Sequence, residues 1–396
     1  MPGSVLADQA LRYRHQKANS IATAAAAVRL GPTGAGCISG GVVVAGVLAK
    51  LEPGGAQLGV LRTAVALRAY GIFSRVLAGQ ATPEGLELFR RAGVPVDVWG
   101  GGDGLQYHCS PGFADWLAPR VAGVDIVHAH MFGAWWAAAQ VVPPGVALVA
   151  SEHNAVRWPG CPLWREWHAA IGRVELFYAH GPASAATALR HGLSPARLRE
   201  GRSPVPQPPT AVRARAGLPS PRVVFVGRLH EEKGPDVLVE AVSLLRGRLH
   251  AFLLGTGPQE HALRMLAARH GMTDAVQLAG WQDEPEGWLA GASACVVPSR
   301  HDAWSQTAVL AMALGTPVIA SAVEGLPEVV GGGRGVLVPP GDPAALALAL
   351  ERALAGRLGV DTRAAREYAR RFEPGRVAGA YAADYRSLAG SLRQAA

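Results

Sequence analysis

The sequence predicts an α/β protein of two domains, each with a parallel β-sheet that carries helices on both faces. Its 396 residues exceed what one hydrophobic core usually holds, so two domains are expected. Apolar strand-like runs alternate with helix-like segments on both sides of a proline-rich run at residues 203–209, and such alternation is typical of parallel sheets. Proline continues neither element, so this run marks the hinge between the domains.

The composition is that of a globular protein without a nucleic-acid surface, and a membrane partner is not expected. Apolar residues make up 49% of the chain, and the formal charge of +8 comes mainly from arginine, since only three residues are lysine. Basic residues form no block and no RNA-binding signature, so we expect no nucleic-acid partner. The four cysteines lack metal-ligand spacing and are expected to be reduced thiols in a cytoplasmic protein.

The first domain is predicted to cover residues 41–203, after a flexible N-terminal extension at residues 1–40. The apolar run at 42–49 is too short to span a bilayer and is predicted to be the first strand. Six strands are expected, at 42–49, 73–77, 96–99, 125–130, 147–151 and 174–178. The helices follow at 56–69, 83–92, 111–121, 135–141, 164–172 and 183–191.

A linker at residues 204–222 leads to a second domain at residues 223–372, in which the alternation is repeated. Its first strands are predicted at 223–226 and 251–254, and a later one at 318–320 follows a helix that Ser305 caps and Gly315 ends. Two final helices are expected at 362–371 and 377–392, the second within a separate C-terminal segment, residues 373–396.

Anion-binding features occur where strands of the second domain lead into helices. The first strand precedes a glycine turn with two fixed cations, Arg228 and Lys233. Arginine offers a planar fork for phosphate oxygens, and lysine offers a mobile point charge. Later strand ends add backbone N–H groups that attract anions, at Gly255, Gly257, Ser305, Gln306 and Thr307. The pattern suits an extended ligand with a diphosphate; a surface loop with solvated charges is the alternative for Arg228 and Lys233 alone.

Five motifs occur in order between residues 223 and 355: GRLHEEKG, GTGP, PSRHDAWSQTAVLAMALGTPVIAS, EGLPEVV and GVLVPPGDP. This series resembles the donor-binding domain of retaining, sugar-nucleotide-dependent glycosyltransferases of family 4. The resemblance implies the GT-B fold: two Rossmann-like, doubly wound parallel-sheet domains that face each other across a cleft, with a C-terminal helix that crosses back to the first domain. The first domain would then bind the acceptor and the second the nucleotide-sugar donor.

The resemblance also assigns roles to single residues. It implies that Arg228 and Lys233 bind the donor's diphosphate and that the helix start at residues 305–307 faces the distal phosphate and the sugar. Gly54 and Gly55 would approach the same phosphate from the first domain, since glycines let backbone N–H groups come close to an anion.

Further donor-site residues follow from the same resemblance. His153 is placed where the family has a histidine that contacts the donor sugar near the reacting centre; a structural histidine is the alternative. Asp302 is a shortened version of a family acid and could still bond the sugar. Together with Arg228 and Lys233, these two form the predicted catalytic set. Gly255, Gly257, Trp281 and Glu328 complete the predicted donor-binding residues.

Two positions depart from the family pattern. Leu310 occupies the place of an acid that usually bonds the ribose, and leucine accepts no hydrogen bond. Either another group replaces that acid, or nucleotide affinity is weakened, or the site is degenerate. Glu324 replaces a customary glycine, as a solvated loop charge or as a ribose or sugar contact.

No metal or resident cofactor is predicted. His128 and His130 share one strand face and could form a metal pair, but no third ligand is visible and two ordinary strand-end histidines are the preferred interpretation. No Asp-x-Asp motif occurs, so the resemblance implies that protein cations replace a divalent metal beside the diphosphate.

Aromatic and acidic residues of the first domain indicate a carbohydrate acceptor with amino groups. Tryptophan faces stack on sugars and cations; the tryptophans concerned are Trp135, Trp136, Trp158, Trp164 and Trp167, of which the last two are expected in the core. Acids near the same strand ends are Asp103, Asp115, Glu152 and Glu166. Glu152 is expected to pair with a cation of the acceptor or to cap the following helix.

The N-terminal runs LEPGGAQ, VDVWGGGDGLQY, VDIVHAHMFGAWW, ASEHNAVRWPG and LREGRSPV are similar to glycosyltransferases of aminoglycoside antibiotic pathways. That resemblance implies a 2-deoxystreptamine pseudodisaccharide acceptor such as paromamine. It implies a UDP-sugar donor such as UDP-xylose, UDP-kanosamine or UDP-GlcNAc, and transfer with retention in which the leaving phosphate takes the proton. The alternatives are a GT-B sugar-nucleotide epimerase, a transferase for lipid acceptors, and a non-catalytic partner subunit.

Overall fold

A computed structural model describes residues 41–102, 109–154, 163–208 and 212–395 of the chain. Two parallel sheets form, one in each predicted domain, which confirms the predicted fold class. The predicted extension at residues 1–40 lies outside the described residues, as do Asp103, Trp158, Cys37 and Cys161. Among the helices of the described ranges, none is long and apolar enough to cross a membrane.

The first sheet has seven strands in the order β3-β2-β1-β4-β5-β6-β7. Its central strands are buried on both faces, as expected for a parallel sheet covered by helices. The strands are β1 (Val42–Leu51), β2 (Ile72–Ala81), β3 (Val96–Val98), β4 (Ile126–His130), β5 (Ala147–Glu152), β6 (Leu176–Ala179) and β7 (Leu198–Glu200). The helices are α1 (Gly55–Leu67), α2 (Pro83–Arg91), α3 (Pro111–Val121), α4 (Phe132–Val141), α5 (Trp164–Ile171) and α6 (Pro182–Arg190).

The second sheet has six strands in the order β10-β9-β8-β11-β12-β13. They are β8 (Arg222–Val226), β9 (His250–Leu254), β10 (Val276–Gly280), β11 (Ala294–Val297), β12 (Val318–Ser321) and β13 (Val336–Val338). The helices are α7 (Pro235–Leu244), α8 (Glu260–Arg269), α9 (Glu286–Leu289), α10 (Gln306–Leu314), α11 (Leu326–Val330), α12 (Pro343–Leu354) and α13 (Thr362–Ala369).

The last helix, α14 (Pro374–Ala395), crosses back to the first domain, as predicted. Its Tyr381 and Tyr385 are buried in a core cluster with β1, β4 and β5. Asp384 on the same helix accepts a hydrogen bond of 2.6 Å from the Tyr178 hydroxyl on β6. These contacts fix the C-terminal segment on the first domain, although the segment follows the second domain in the chain.

Short elements and element ends differ from the prediction. The strands β7 and β13, with three residues each, are too short to show a period of two and were not predicted. Strand β10 was not predicted either. Helix α4 begins at Phe132, three residues before the predicted start, because Met131 takes a positive φ of 70° that turns the chain directly from strand to helix. Tertiary packing imposes this conformation on a residue type that rarely adopts it.

Candidate functional site

The carboxyl ends of the two sheets face each other across a cleft. A cavity of about 200 Å³ occupies it and is lined by residues of both domains. In open α/β sheets ligands bind at this edge, because loops and helix starts converge there. The predicted site residues that line the cavity are Gly54, Gly55, His153, Arg228, Lys233, Asp302, Ser305, Gln306 and Thr307.

A salt bridge anchors the centre of the second-domain wall. Lys233 Nζ lies 3.0 Å from Asp302 Oδ2, and the Ser299 hydroxyl donates to the same oxygen at 3.0 Å. Lys233 ends a short 3-10 turn, and Gly234 follows it in the left-handed conformation that glycine adopts without strain. The predicted cation and the predicted acid therefore form one unit rather than two independent contacts.

The second predicted cation, Arg228, lines the same cavity. Its guanidinium pairs with Glu232 four residues later and remains about half exposed toward the cavity. A surface pair of this kind is weak, so a ligand phosphate could replace the carboxylate at little cost. Arg228 also lines a second cavity, which places it between the two spaces.

The start of α10 supplies a helix N-terminus to the cleft. The Ser305 hydroxyl accepts from the backbone N–H of Ala308 at 3.2 Å and caps the helix, as predicted. Thr307 donates its hydroxyl proton to the Val226 carbonyl at 3.0 Å and so ties the helix start to the end of β8. The positive end of the helix dipole therefore points at the cleft.

Gln306 connects the two domains. Its amide nitrogen donates to the Gly55 carbonyl at the start of α1. Its amide oxygen accepts from Arg62 Nη1 at 3.0 Å, and Arg62 also donates to the Pro204 carbonyl at 3.4 Å. These hydrogen bonds hold the starts of α1 and α10 close together across the cleft.

A second cavity of about 460 Å³ lies beside the first. Gly255 and Trp281 line it, and Trp281, which is 39% exposed, donates its indole N–H to Asp283 at 2.8 Å. Leu310 also lines this cavity and presents an apolar side chain there. Arg62 lines it from the first domain, with a guanidinium pKa that burial lowers.

Gly257, Glu328 and Glu324 line neither cavity. A side chain at Gly257 would collide with the backbone of Leu229. This glycine therefore permits the loop after β9 to pack closely against the loop after β8. Glu328 lies exposed in the first turn of α11. Glu324 takes a positive φ of 44° and lies 3.4 Å from His301 Nδ1, so it is a partnered loop residue.

Four histidines form a buried row at the strand ends of the first domain. The rings of His128 and His130 are 4.1 Å apart, His130 Nδ1 lies 3.1 Å from His153 Nε2, and His153 stacks on His180 at 4.0 Å. Burial is the main cause that lowers all four pKa values, to about 3 for His128 and about 4 for His153. The imidazoles are therefore neutral at pH 7.

The predicted metal pair is not completed by further ligands. His128 is occupied instead by two hydroxyls, with its Nδ1 2.5 Å from the Tyr385 oxygen and its Nε2 2.7 Å from the Ser151 oxygen. Within the described ranges, no group of three or more histidine, cysteine, aspartate and glutamate side chains could hold a metal ion. His128 is thus a structural residue that anchors α14.

Two residues of the expected acidic, aromatic acceptor surface, Trp135 and Glu152, are buried instead. Trp135 is fully buried in the core together with Trp167, so the expectation of an exposed face is wrong for Trp135. Glu152 is also fully buried, 3.5 Å from the Trp135 indole nitrogen, and burial raises its pKa to about 8. This carboxyl group accepts backbone hydrogen bonds from Phe132, the first residue of α4, and from Asn154.

Sequence reasoning missed several residues that line the cleft cavity. The most informative is His180, which directly follows β6 and lies beside His153, the residue after β5. The strand predicted at 174–178 ends two residues before His180. A predicted strand that continued to residue 179 would have placed His180 at the same sheet edge as His153. Other missed residues include Lys50, Glu52, Asn154 and Trp304.

The arrangement can bind an anion between two helix starts and hold a neutral ligand against imidazole rings. Arg228, Lys233 and the N-termini of α1 and α10 provide positive potential on one side of the cleft. The neutral histidine rings of the other side provide hydrogen-bonding nitrogens without net charge. A phosphorylated sugar has this combination of groups.

Comparison with known families agrees with this geometry. A model of the family described as Glycosyltransferase Family 4 matches residues 53–206, and a model described as Glycosyl transferases group 1 matches residues 220–356. The D-inositol 3-phosphate glycosyltransferase of Streptomyces scabiei (strain 87.22) is 34% identical over 263 residues, which cover 60% of this chain and 57% of that protein. The chain thus spans little more than half the length of this relative.

Another relative is the lipopolysaccharide core biosynthesis glycosyltransferase LpsE of Rhizobium meliloti (strain 1021), 35% identical over 36% of this chain and 43% of its own length. Among solved structures, HepE from Anabaena in complex with UDP and glucose superposes with a TM-score of 0.73 at 18% identity and covers 87% of this chain and all of its own. Sucrose-phosphate synthase from Thermosynechococcus elongatus reaches 0.72 at 23% identity over 88% of this chain and 100% of its own. The fold is therefore GT-B.

Proposed function

Because the chain belongs to the family 4 and group 1 glycosyltransferases, we propose that it transfers a sugar from a nucleoside diphosphate sugar to a hydroxyl group of a cyclitol. The observation that carries this proposal is the single cleft in which Arg228, Lys233 and two helix N-termini surround one cavity. We further propose that the reaction takes place in the cytoplasm and that the domains have the boundaries predicted above.

The donor's diphosphate is proposed to lie between the starts of α1 and α10. Gly54 adopts an extended conformation and Gly55 begins α1, so no side chain shields the backbone N–H groups there. Lys233 and Arg228 approach from the second domain. These preorganised groups stabilise the negative charge that develops on the leaving diphosphate, and this electrostatic effect is usually the largest contribution in such sites.

The nucleoside is proposed to occupy the 460 Å³ cavity, with UDP as the nucleotide. Trp281 offers a partly exposed ring on which a base can stack. Leu310 gives the ribose an apolar neighbour, so ribose hydroxyls must find partners elsewhere in this cavity. HepE, which was solved with UDP and glucose, supports uridine as the first nucleotide to test.

Transfer is proposed to proceed with retention at the sugar carbon and without a divalent metal. The acceptor oxygen attacks from the face that the diphosphate leaves, and the departing phosphate oxygen takes the acceptor proton. His153 and Asp302 line the same cavity, and both are proposed to contact the donor sugar. Closure of the two domains, which Gln306 already bridges, keeps water from the activated sugar.

We propose that the acceptor is a cyclitol, because two independent arguments lead to this class of compound. The relatives named for D-inositol 3-phosphate act on a cyclitol phosphate. The resemblance of the N-terminal motifs to aminoglycoside enzymes implies an aminocyclitol pseudodisaccharide such as paromamine. The burial of Glu152 and Trp135 removes two of the groups on which the amino-substituted acceptor depended. The motifs and the remaining residues Trp136, Asp115 and Glu166 still support it.

The proposal is tested with the purified protein, UDP-sugars that include UDP-glucose, UDP-GlcNAc and UDP-xylose, and two acceptors, inositol 3-phosphate and paromamine. Each reaction is run with EDTA and with magnesium. We expect UDP release that depends on an acceptor and does not respond to EDTA, with a product of retained configuration by NMR. UDP release or donor conversion without an acceptor would instead favour hydrolysis or epimerisation.

A binding measurement tests the alternative that the protein is a non-catalytic partner subunit. A nucleotide at a hundred times its dissociation constant stabilises the fold by about 2.7 kcal/mol, which shifts the thermal midpoint by several degrees. We expect a shift with UDP that exceeds those with GDP, ADP and dTDP. No shift with any nucleotide would indicate that Leu310 marks a lost donor site.

A further inference from the structure

The row of four histidines contains one pair whose hydrogen bonding is not explained by the packing of the fold. His130 Nδ1 and His153 Nε2 are 3.1 Å apart, which is hydrogen-bonding distance, so one of the two nitrogens must donate and the other accept. Both residues line the cleft cavity. The described part of the chain supplies no hydrogen bond to their other ring nitrogens, His130 Nε2 and His153 Nδ1.

The neighbouring His128 stands apart from this pair, because both of its ring nitrogens already have hydroxyl partners. Its Nε2 lies 2.7 Å from the Ser151 oxygen, and its Nδ1 lies 2.5 Å from the Tyr385 oxygen. These partners hold the His128 ring in place without any hydrogen bond to His130.

On the other side, His180 holds the His153 ring by stacking and not by a hydrogen bond. The two ring centres are 4.0 Å apart with an angle of 28° between the planes. Gly201 closes the space behind His180, since a side chain there would collide with its ring. His153 is therefore held by two contacts. One face of its ring stacks on His180, and its Nε2 shares one hydrogen bond with His130 Nδ1.

We propose that His130 is a positioning residue for His153 and that the two rings act as one unit, which offers a bound sugar one hydrogen-bond donor and one acceptor. Two neutral imidazoles carry two ring protons, and the bond between them uses one. If His153 donates to His130, the free His153 nitrogen accepts and the free His130 nitrogen donates. If His130 donates, both roles are exchanged.

This unit selects a class of ligand. Two neighbouring hydroxyl groups on a sugar or cyclitol ring satisfy it in either state, because each hydroxyl can both donate and accept. A carboxylate only accepts and an ammonium group only donates, so each leaves one of the two nitrogens without a partner. An unpaired polar group in a buried site is costly, and the pair therefore favours a vicinal diol. The catalytic meaning of this selection rests on the proposed transferase function.

The test compares His130→Leu with His130→Asn. Leucine removes the hydrogen bond and keeps the volume approximately, whereas the asparagine amide offers a donor or acceptor near the position of Nδ1. Both variants and the wild-type protein are labelled with 15N-histidine, and the ring nitrogens of His153 are observed by NMR, with His153→Asn used for assignment. Thermal midpoints report whether each variant folds.

We expect one proton shared by His130 and His153 in the wild-type spectrum, protected from exchange with water. His130→Leu should abolish this signal and change the tautomer populations of His153, and His130→Asn should restore a protected His153 ring proton. Unchanged His153 nitrogen shifts in His130→Leu would overturn the proposal. If His130→Leu does not fold, the wild-type spectrum decides. The absence of a proton shared by His130 and His153 in that spectrum would also overturn the proposal.

Kinetics provide the second measurement. We expect kcat to fall about 10- to 100-fold in His130→Leu, the range for a buried group left without its hydrogen bond, with donor KM changed much less and with most of the activity recovered in His130→Asn. Equal losses in both variants would overturn the positioning role. If the wild-type protein transfers no sugar, the proposed function fails, while the NMR measurement still decides whether the two rings are coupled.

Discussion

Replacement of Lys233 by methionine tests the centre of the proposed donor site. Lys233 Nζ contacts Asp302 Oδ2 at 3.0 Å, and both residues line the cleft, with side-chain exposures of 23% and 8%. Methionine retains most of the apolar stem and removes the charge. Two effects are therefore expected, a loss of phosphate binding and an uncompensated carboxylate at Asp302.

The two effects have different magnitudes. Removal of one preorganised donor from a site where negative charge develops costs about 100- to 1000-fold in kcat, or about 3–4 kcal/mol. The loss of stability should be about 2 kcal/mol, below the 3–5 kcal/mol for a fully buried pair, because Lys233 is partly exposed and Ser299 still donates to the carboxylate. The fold should survive this loss.

The measurement is a double-mutant cycle of Lys233→Met and Asp302→Asn, with urea unfolding and steady-state turnover of each protein. We expect the double variant to regain most of the stability, since no charge remains unpaired, while its turnover stays as low as that of Lys233→Met. Asp302→Asn alone is the matched control, because it shows the effect of a neutral side chain at position 302 while Lys233 is retained. If the double variant turns over near the wild-type rate, Lys233 serves only to neutralise Asp302 and the proposed diphosphate site is wrong.

Three further substitutions examine the closure of the cleft, a buried acid and the C-terminal helix. Gln306→Ala removes the bridge to Arg62, and we expect a larger radius of gyration by X-ray scattering without nucleotide and an affinity for UDP about 10-fold lower, since two hydrogen bonds of the closed form are lost; identical scattering curves would contradict this. Burial raises the pKa of Glu152 from 4.5 to about 8, so the folded state holds a proton that the unfolded state releases, and stability falls as pH rises through this range, by at most about 1.4 kcal/mol per pH unit. Glu152→Gln should therefore gain stability over the wild-type protein in urea unfolding between pH 5 and 8, and a difference that does not depend on pH would refute this explanation. Tyr385→Phe removes the hydroxyl that is hydrogen-bonded to His128 Nδ1, and we expect a loss of about 1–3 kcal/mol in the free energy of unfolding without loss of the helix in circular dichroism.

Much of the fold could be predicted because the signals were local and repeated. The alternation of buried strands and helices, the cap at Ser305 and the stop at Gly315 each depend on a few adjacent residues. The fold prediction covered both sheets and the crossing helix. The strands β7 and β13, which have three residues each, were not predicted, and neither was β10.

The site was predictable in part for a similar reason. Parallel strands end at one edge of a sheet, so motifs that follow strands must converge, and most predicted donor residues do line one cavity. Aromatic residues did not follow this rule. Trp135 lies near the same strand ends, but its direction into the core depends on the start of α4, which Met131 sets by its positive φ.

The sequence by itself determined the two parallel-sheet domains, the family motifs and the set of residues that could bind a diphosphate, because each depends on residue type and order along the chain. Only the tertiary structure decided the pairing of Lys233 with Asp302, the bridge from Gln306 to Arg62 and the coupling of His130 to His153. These contacts join residues that are 69, 244 and 23 positions apart. The packing of distant elements, rather than any local pattern, sets the distances between such side chains.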